Sequence, residues 1–303
     1  MSMSPARAAL MSALIDDGRA SVEALARATG LSVTHTRQLL ASLSADHIEV
    51  RGIVHPSVFG QHAMAHLLIT PARGVEAAVD ALVADPAIPY ITRVAGDAAI
   101  AAEVRVADRA ALARHIHAVR ALPEIARVDV DEYLDIVKDA STPVHPLGDL
   151  QLDRIDRVVL YELQIDGRAS YASLARVVDL TTASARARVL RLIESGVVHI
   201  GVRQRARDDA LQIGFRLVST GSVGVEHTLI ADPAVEYLAT SVGRSSFVGT
   251  LRVDSAAAAA RQIDTLHRLD GVERVWTWMH LTVIKEMYAA QDIPETSPER
   301  TRR

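Results

Sequence analysis

The stretch Asp17-Gly18-Arg19-Ala20-Ser21 recurs later in the chain as Asp166-Gly167-Arg168-Ala169-Ser170. At the same offset, residues 25–27 (Leu-Ala-Arg) recur as residues 174–176. Further matches follow without a gap: Leu31 with Leu180, Arg37 with Arg186, Leu43 with Leu192 and Gly52 with Gly201. A repeat that keeps one offset over this length is the signature of a duplicated module. The chain of 303 residues is therefore predicted to contain two tandem copies of one unit.

Composition restricts the classes of protein that the chain could be. Apolar residues make up 49 % of the chain and aromatic residues only 4 %, so we expect cores built from Ala, Leu, Val and Ile. Cysteine is absent, which excludes disulfides, thiol catalysis and thiolate metal sites. No apolar run approaches the roughly 20 residues of a membrane-spanning helix, and no signal peptide is visible. These features predict a cytoplasmic protein without a membrane partner.

Charge is distributed unevenly between the two copies. The whole chain has a net charge of −4. Residues 151–207 carry ten arginines against six acidic residues, about +4, whereas residues 1–55 carry five of each. A local excess says more about partners than the total does. Because guanidinium groups suit phosphate and guanine edges, the second copy is the better candidate for DNA contact.

Each copy begins with a helical section. In the second copy, apolar residues recur at helical spacing from Ile155 to Leu163, and the run ends at Asp166-Gly167. Ser170 is a candidate N-cap for a second helix, and a third helix is predicted over residues 182–194 after a tight turn. A short strand at residues 197–202 follows the third helix. Three helices and a strand in this order predict a winged helix-turn-helix.

The second section of each copy mixes strands and helices. In the first copy the segments are strand 65–70, helix 75–84, strands 91–94 and 99–106, helix 109–122 and strand 127–137. The order βαββαβ is typical of the ferredoxin-like fold. The second copy gives the corresponding segments 223–230, 234–240, 246–253, 256–269 and 275–287.

Residues 152–203 resemble a known family. The segments that carry the resemblance are Leu152–Asp156, Asp166–Arg168, Leu174-Ala175, Arg186–Val189 and Gly196–Val198. They are similar to the N-terminal domain of the Lrp/AsnC family of bacterial and archaeal transcription regulators. The sections that follow resemble that family's effector domain, a ferredoxin-like module that forms dimers and often binds an amino acid; residues 95–106, 122–125 and 269–272 carry this likeness.

The resemblance also implies a domain organisation. A typical member has one unit, so this chain resembles a double-length regulator in which one polypeptide supplies what is normally a dimer. The first copy lacks the acidic start and keeps one arginine in its third helix where the second has three, which suggests a degenerate copy. We therefore predict an α+β fold, a tandem duplication of a winged helix-turn-helix domain followed by a ferredoxin-like effector domain. The predicted domains are winged helix-turn-helix 1–56, effector domain 57–138, linker 139–151, winged helix-turn-helix 152–207, effector domain 208–290 and a disordered tail 291–303.

The third helix of each copy supplies the candidate DNA contacts. A helix in the major groove needs short polar side chains near its N-terminus and arginines for phosphate or guanine. The alternative is an ordinary solvated basic face. In the second copy Val189, Leu192 and Ile193 are expected to face the core, and Ala185 is expected to be exposed. The candidate contacts are Thr182, Ser184, Arg186, Arg188 and Arg191 in the second copy and Thr34, His35 and Arg37 in the first.

Two glycine turns are candidate ligand sites. Free backbone N–H groups at Gly96-Asp97 could receive a carboxylate, although Gly-Asp also favours a hairpin turn without any ligand. Gly243-Arg244 is the matching turn, and an arginine there would favour an anionic effector. The histidine pairs His62 with His66 and His115 with His117 have unsuitable spacing for a metal site, so we expect neither a metal nor a cofactor.

The leading hypothesis is a sequence-specific regulator that binds double-stranded DNA, is not an enzyme, and is modulated by an amino acid or another small molecule. It is expected to form a homo-oligomer, a dimer or larger. One alternative is an enzyme similar to the sirohaem decarboxylases, which resemble this architecture and include fused doubles. Another is a ligand-sensing module that does not bind DNA. No phosphate loop, dinucleotide fingerprint or nucleophile elbow supports a different enzyme.

Overall fold

The computed structural model of the chain describes residues 4–43, 48–139, 142–144, 151–204 and 210–287. Most of the predicted linker and all of the predicted tail lie outside the described residues. In the described part, no helix has both the length and the apolar character that crossing a membrane requires.

Two halves of the chain contain the same kinds of element in the same order. The first half contains α1 Pro5–Asp16, α2 Val22–Thr29, α3 Val33–Ser42, β1 Ile48–Val54, β2 Ala63–Pro71, α4 Val75–Val83, β3 Tyr90–Ala95, β4 Ile100–Val106, α5 Arg109–Arg120, β5 Ile125–Asp139 and β6 Thr142–Pro143. The second half contains α6 Arg154–Ile165, α7 Tyr171–Val178, α8 Thr182–Glu194, β7 Val198–Gln204, β8 Leu211–Ser219, α9 Ser222–Ala231, β9 Val235–Gly243, β10 Phe247–Val253, α10 Ala256–Arg268 and β11 Val272–Glu286. Strand β8 was missed by the sequence-based segments. The result is a mixed α+β fold.

The two three-helix sections are joined through their wing strands. β1 and β7 pair antiparallel, from Ile48 opposite Gln204 to Val54 opposite Val198. Val202 of β7 packs into the core around α1–α3, and Val54 of β1 packs into the core around α6–α8. Each wing therefore completes the core of the other section.

Two equivalent arginines lock the sections together. The Arg19 guanidinium donates to the backbone oxygens of Gly167 and Ala169 at 2.7 and 2.8 Å. Arg168 donates to those of Gly18 and Ala20 at 2.5 and 2.9 Å. The Asp-Gly-Arg-Ala-Ser segment, which occurs in both sections, thus makes a reciprocal contact between them. We call it the arginine clamp.

Glycine at position 18 is required by this contact. Its N–H donates to the Ile200 oxygen at 3.1 Å, and a Cβ on Gly18 would overlap that oxygen. We expect Gly18→Ala to destabilise the protein by about 2 kcal/mol, as overpacking does. Thermal unfolding would measure it. Gly224→Ala is the matched control, because Gly224 lies in α9 with open space around its Cβ; there the helix preference of alanine predicts stabilisation by about 0.5–1 kcal/mol. An equal response at both positions would contradict this account.

The remaining strands form one antiparallel sheet that closes on itself. Its order is β2, β4, β3, β11, β8, β10, β9, β5 and back to β2, with β6 beside the end of β5. The halves meet where β3 pairs with β11 and where β5 pairs with β9. Both halves are therefore needed to close this ring of strands.

The ring has two differently packed sides, because adjacent strand residues face opposite ways. On β2, Leu67 packs with the core formed with α4 and α5. Its neighbour Leu68 packs instead with Ala239 and Trp278 of the second half. A further core in the second half lies beneath α9 and α10. The ring interior is thus shared by the two halves.

Candidate functional site

Helix α8 is fixed at its N-terminus and along one face. The Thr181 side chain accepts a hydrogen bond from the Ser184 N–H at 3.1 Å and caps the helix. Ala185, Val189 and Leu192 are fully buried, and Ile193 packs against the same cluster. The prediction that Ala185 is exposed is wrong, because its position on the helix directs the methyl group into the core formed with α6 and α7.

The opposite face of α8 leaves three predicted DNA contacts at the surface. Thr182, Ser184 and Arg186 are all exposed. Within the described part of the chain, the Arg186 guanidinium makes no hydrogen bond or ion pair to another residue. This end of the helix therefore offers two hydroxyls and one cation to a partner.

The other two predicted contacts are engaged inside the protein. Arg188 donates to Asp153 Oδ2 at 2.6 Å and to Asp156 Oδ1 at 2.8 Å, and Arg191 donates to Asp156 Oδ2 at 2.5 Å. Asp156 is 1 % exposed and forms a capping box with Asp153 at the start of α6. The hydrogen bonds to Asp153 and then Asp156 raise the pKa of Arg188. These arginines connect α8 to α6, an arrangement that the sequence analysis did not anticipate.

Helix α3 presents the corresponding surface of the first copy. Ser32 caps it by accepting a hydrogen bond from the His35 N–H at 3.2 Å. The predicted contacts Thr34, His35 and Arg37 are exposed, whereas Thr36 is buried. The surface positions near the N-termini of α3 and α8 are therefore both accessible.

The first predicted ligand turn adjoins a nearly closed cavity. Gly96 has φ +155° and lies against Trp278. Asp97, Arg127, Arg216 and Trp276 are among the residues that line a cavity of about 10 Å³ here, roughly the space of one water molecule. A larger ligand would require the indoles to move.

The second predicted turn is occupied by a side chain of the first half. Asp131 Oδ1 accepts hydrogen bonds from the Arg244 N–H and the Ser245 hydroxyl, both at 2.9 Å. The Arg244 side chain forms an ion pair with Asp129 at 2.6 Å. Gly243 lies opposite Asp131 in the strand register. The donors of this turn are therefore already satisfied within the protein. Asp129 also lines the cavity beside the first turn, so this carboxylate connects Arg244 with that cavity.

The ring interior contains a polar cluster that the sequence analysis missed. The His66 ring stacks on Trp278 with centroids 5.2 Å apart, and Trp278 lies 6.3 Å from the ring of His280. His66 Nδ1, Trp278 Nε1, His280 Nε2 and Arg216 Nε are buried with no hydrogen-bond partner among the described residues. Buried polar atoms without a partner are rare, so this cluster is an unusual feature of the ring interior. On β8, Arg216 stands between the apolar residues Phe215 and Leu217, an alternation that could have indicated its place. His66 lies in an apolar stretch of β2 and gave no such signal, and His62, its predicted neighbour, is exposed just before β2.

Both histidines are held neutral. Burial, followed by the charge of Arg216, lowers the pKa of His66 to about 3. Burial, followed by His66, lowers the pKa of His280 to about 3. The interior therefore carries two neutral imidazoles near neutral pH.

This depressed pKa predicts loss of stability in mild acid. Below pH 6.5 the unfolded chain binds a proton at His66 that the folded chain excludes, so the free energy of unfolding falls as the pH falls. The expected slope is about 1.4 kcal/mol per pH unit for this group. Denaturant unfolding from pH 8 to pH 5 should show a shallower dependence for His66→Phe, which keeps a ring on Trp278 but cannot titrate. Parallel curves for the two proteins would refute the assignment.

The section before β7 has the geometry of a helix-turn-helix. Helix α7 is capped by Asp179, whose φ of 53° lies in the left-handed region, and two residues later Thr181 caps the start of α8. Residues 152–193 match the model of the AsnC-type helix-turn-helix domain. This AsnC-type domain comprises α6, α7 and nearly all of α8, and it includes the Asp153–Asp156 capping box.

Relatives of this chain include proteins of about half its length. An uncharacterized HTH-type transcriptional regulator of Pyrococcus furiosus is 26 % identical over 147 residues, which are 46 % of this chain and 97 % of that protein. The leucine-responsive regulatory protein of Rhizobium meliloti is 37 % identical over 78 residues, 26 % of this chain and 48 % of that protein.

A solved structure is similar over nearly the full length. The crystal structure of the siroheme decarboxylase NirDL superposes with a TM-score of 0.64 at 11 % sequence identity, covering 93 % of each chain. At this identity the likeness concerns the fold. NirDL has also been crystallised with an iron-uroporphyrin III analogue.

The likeness to NirDL corrects one prediction. The sequence analysis predicted that the chain is not an enzyme, and that prediction is contradicted because the same overall architecture belongs to a siroheme decarboxylase. Arginines on α8 do not argue against an enzyme, because Arg188 and Arg191 bind Asp156 within the protein.

Proposed function

We propose that the chain is a sequence-specific regulator of transcription that binds double-stranded DNA through its helix-turn-helix sections. The observation that carries the proposal is the AsnC-type domain at residues 152–193 with Thr182, Ser184 and Arg186 exposed at the N-terminal end of α8. Short polar side chains and a free arginine are what a recognition helix offers to base edges and phosphates. The regulator names of the relatives support the same function.

The proposed organisation is a double-length Lrp/AsnC-type regulator. In it, two winged helix-turn-helix domains, 1–56 and 152–207, alternate with two ferredoxin-like effector domains, 57–138 and 208–290. The repeated order of elements and the reciprocal arginine clamp support this duplication. Relatives that match over about half of the chain are consistent with it.

Within this proposal, the predicted contacts have different roles. Thr182, Ser184 and Arg186 contact DNA in the second copy. Thr34, His35 and Arg37 do so in the first. Arg188 and Arg191 hold α8 in position by binding Asp156, and the exposed part of each guanidinium group faces the same surface as the DNA contacts.

An amino acid or another small molecule is the proposed effector, and Gly96-Asp97 is the turn that receives it. The adjacent cavity is lined by charges of both signs, Arg127 and Arg216 with Asp97 and Asp129, which suits the ammonium and carboxylate groups of an amino acid. Gly243-Arg244 is the weaker candidate because Asp131 already accepts from its donors. Association of chains into a homo-oligomer is part of the same proposal.

The experiment that tests the regulator is binding of the purified chain to its own upstream DNA across a salt series. Specific binding that weakens with salt, with a slope of about −0.9 per phosphate contact, supports the proposal. Equal affinity for upstream and random duplexes would refute sequence specificity. Effector binding without DNA binding would favour the ligand-sensing alternative.

The interior cluster favours a second candidate, an enzyme of the siroheme decarboxylase type. His66, His280 and Arg216 offer nitrogen atoms without partners in the described part of the chain, and such groups suit an anionic tetrapyrrole substrate. The nearly closed cavity that Arg216 and Trp278 line holds only about 10 Å³, so binding of a tetrapyrrole would require rearrangement. Anaerobic titration with sirohaem, followed by its absorbance spectrum, tests this candidate. An unchanged spectrum would dismiss it.

A further inference from the structure

The two helix-turn-helix sections contact each other symmetrically. In the wing pairing, Arg51 lies opposite Gly201 and Gly52 lies opposite Ile200. Because Gly52 and Gly201 are repeat equivalents, the pairing is symmetric about its centre. The arginine clamp has the same symmetry, with each arginine donating to the other copy's backbone. A local two-fold axis therefore relates α3 to α8 within one chain.

The two-fold axis relates the exposed surfaces of α3 and α8. The repeat offset equates Arg37 with Arg186, and both are exposed. The other exposed positions near the helix N-termini differ. The differing pairs are Val33 with Thr182, Thr34 with Ala183, His35 with Ser184 and Gln38 with Ala187.

These differences change what each helix can read. The Gln38 amide can bond adenine through two hydrogen bonds, whereas the Ala187 methyl group suits the methyl of thymine. The His35 ring and the Ser184 hydroxyl differ in reach and in donor pattern. Only the arginine contact is shared by the two helices.

From this geometry we infer that the chain recognises a DNA site made of two unlike half-sites. One half-site is read by α3 and the other by α8, as the two recognition helices of a helix-turn-helix dimer read two half-sites. A homodimer with a true two-fold axis reads an inverted repeat. In this chain, the contacts between the two sections follow the two-fold axis, whereas the exposed residues of α3 and α8 differ. The inference rests on the proposed function and names the class of DNA that this function requires.

The test is selection of duplexes from a random library by the full chain. The wild-type protein should enrich a motif with two half-sites that are not inverted copies of each other. A second protein carries Val33→Thr, Thr34→Ala, His35→Ser and Gln38→Ala, which give α3 the exposed residues of α8. It should enrich an inverted repeat of the α8 half-site. The reverse set, Thr182→Val, Ala183→Thr, Ser184→His and Ala187→Gln, should enrich an inverted repeat of the other half-site.

Each other outcome has a distinct meaning. An inverted repeat selected by the wild-type protein, or a single half-site, would overturn the inference while leaving DNA binding intact. Asymmetry that persists unchanged in both exchanged proteins would overturn it as well. No enrichment by any of the three proteins would refute the proposed function itself. All substituted positions are exposed, and matching thermal unfolding would verify that the variants are folded.

Discussion

Replacing Arg186 with alanine is expected to weaken specific DNA binding about tenfold to a hundredfold. Arg186 is exposed on α8 and has no side-chain partner among the described residues, so its guanidinium is available to guanine or phosphate. An arginine contact to a base is worth about 1–3 kcal/mol, and each 1.4 kcal/mol is a factor of about ten in affinity. Titration of the upstream duplex at several salt concentrations measures the loss.

The way in which DNA binding weakens in this variant shows whether Arg186 contacts a phosphate or a base. If Arg186 binds phosphate, the salt slope should decrease by about 0.9 in magnitude and specific and random duplexes should be affected alike. If Arg186 binds a base, the salt slope should be unchanged and the preference for the specific duplex over random duplexes should fall. The control is Arg261→Ala, which removes the same charge from the exposed surface of α10. Equal losses in both variants would mean that only overall charge matters.

Replacing Asp156 with alanine is expected to destabilise the AsnC-type domain by about 3 kcal/mol. The side chain is 1 % exposed, and it accepts charge-assisted hydrogen bonds from Arg188 and Arg191. Such bonds contribute about 1.5–3 kcal/mol each, and part is recovered because both guanidinium groups are partly exposed. Loss of half of a capping box adds about 1 kcal/mol.

Amide hydrogen exchange separates this local effect from general damage. Protected amides of α6 and α8 should exchange about a hundredfold faster in Asp156→Ala, since 1.4 kcal/mol is a factor of about ten, while those of the ring strands should be unchanged. Asp153→Ala is the matched control: its side chain is 51 % exposed, so we expect an effect of about 1 kcal/mol. Uniform acceleration across the chain, or no difference between the two variants, would contradict this role for Asp156.

Local signals predicted much of the fold. The helix stop at Asp166-Gly167 and the serine cap at Ser170 placed α6 and α7, because these signals act within a few residues. Because of the repeat, an element predicted in one section could be compared with its equivalent in the other. Strand β8 was missed although Phe215 and Leu217 are fully buried, and the closure of the ring depends on pairings between distant strands that no local pattern specifies.

The candidate site was less accessible to sequence reasoning. Arg188 looked like a surface cation, and its partner Asp156 was known only as an acidic residue of another helix. The sequence likewise did not indicate that Asp131 accepts hydrogen bonds from the Gly243-Arg244 turn. His66 and Trp278 come from different halves and meet only because the ring closes. In each case the decisive neighbour is far away along the chain.

The closed ring has a consequence for how the chain is synthesised. β3 and β5 belong to the first half, yet each has a neighbour, β11 or β9, that is translated much later. Until residues 235–286 leave the ribosome, these two strands present open edges. Unpaired strand edges can pair with wrong strands, including those of other nascent chains translated from the same messenger RNA. Mispairing between copies of this protein is therefore most favoured midway through translation.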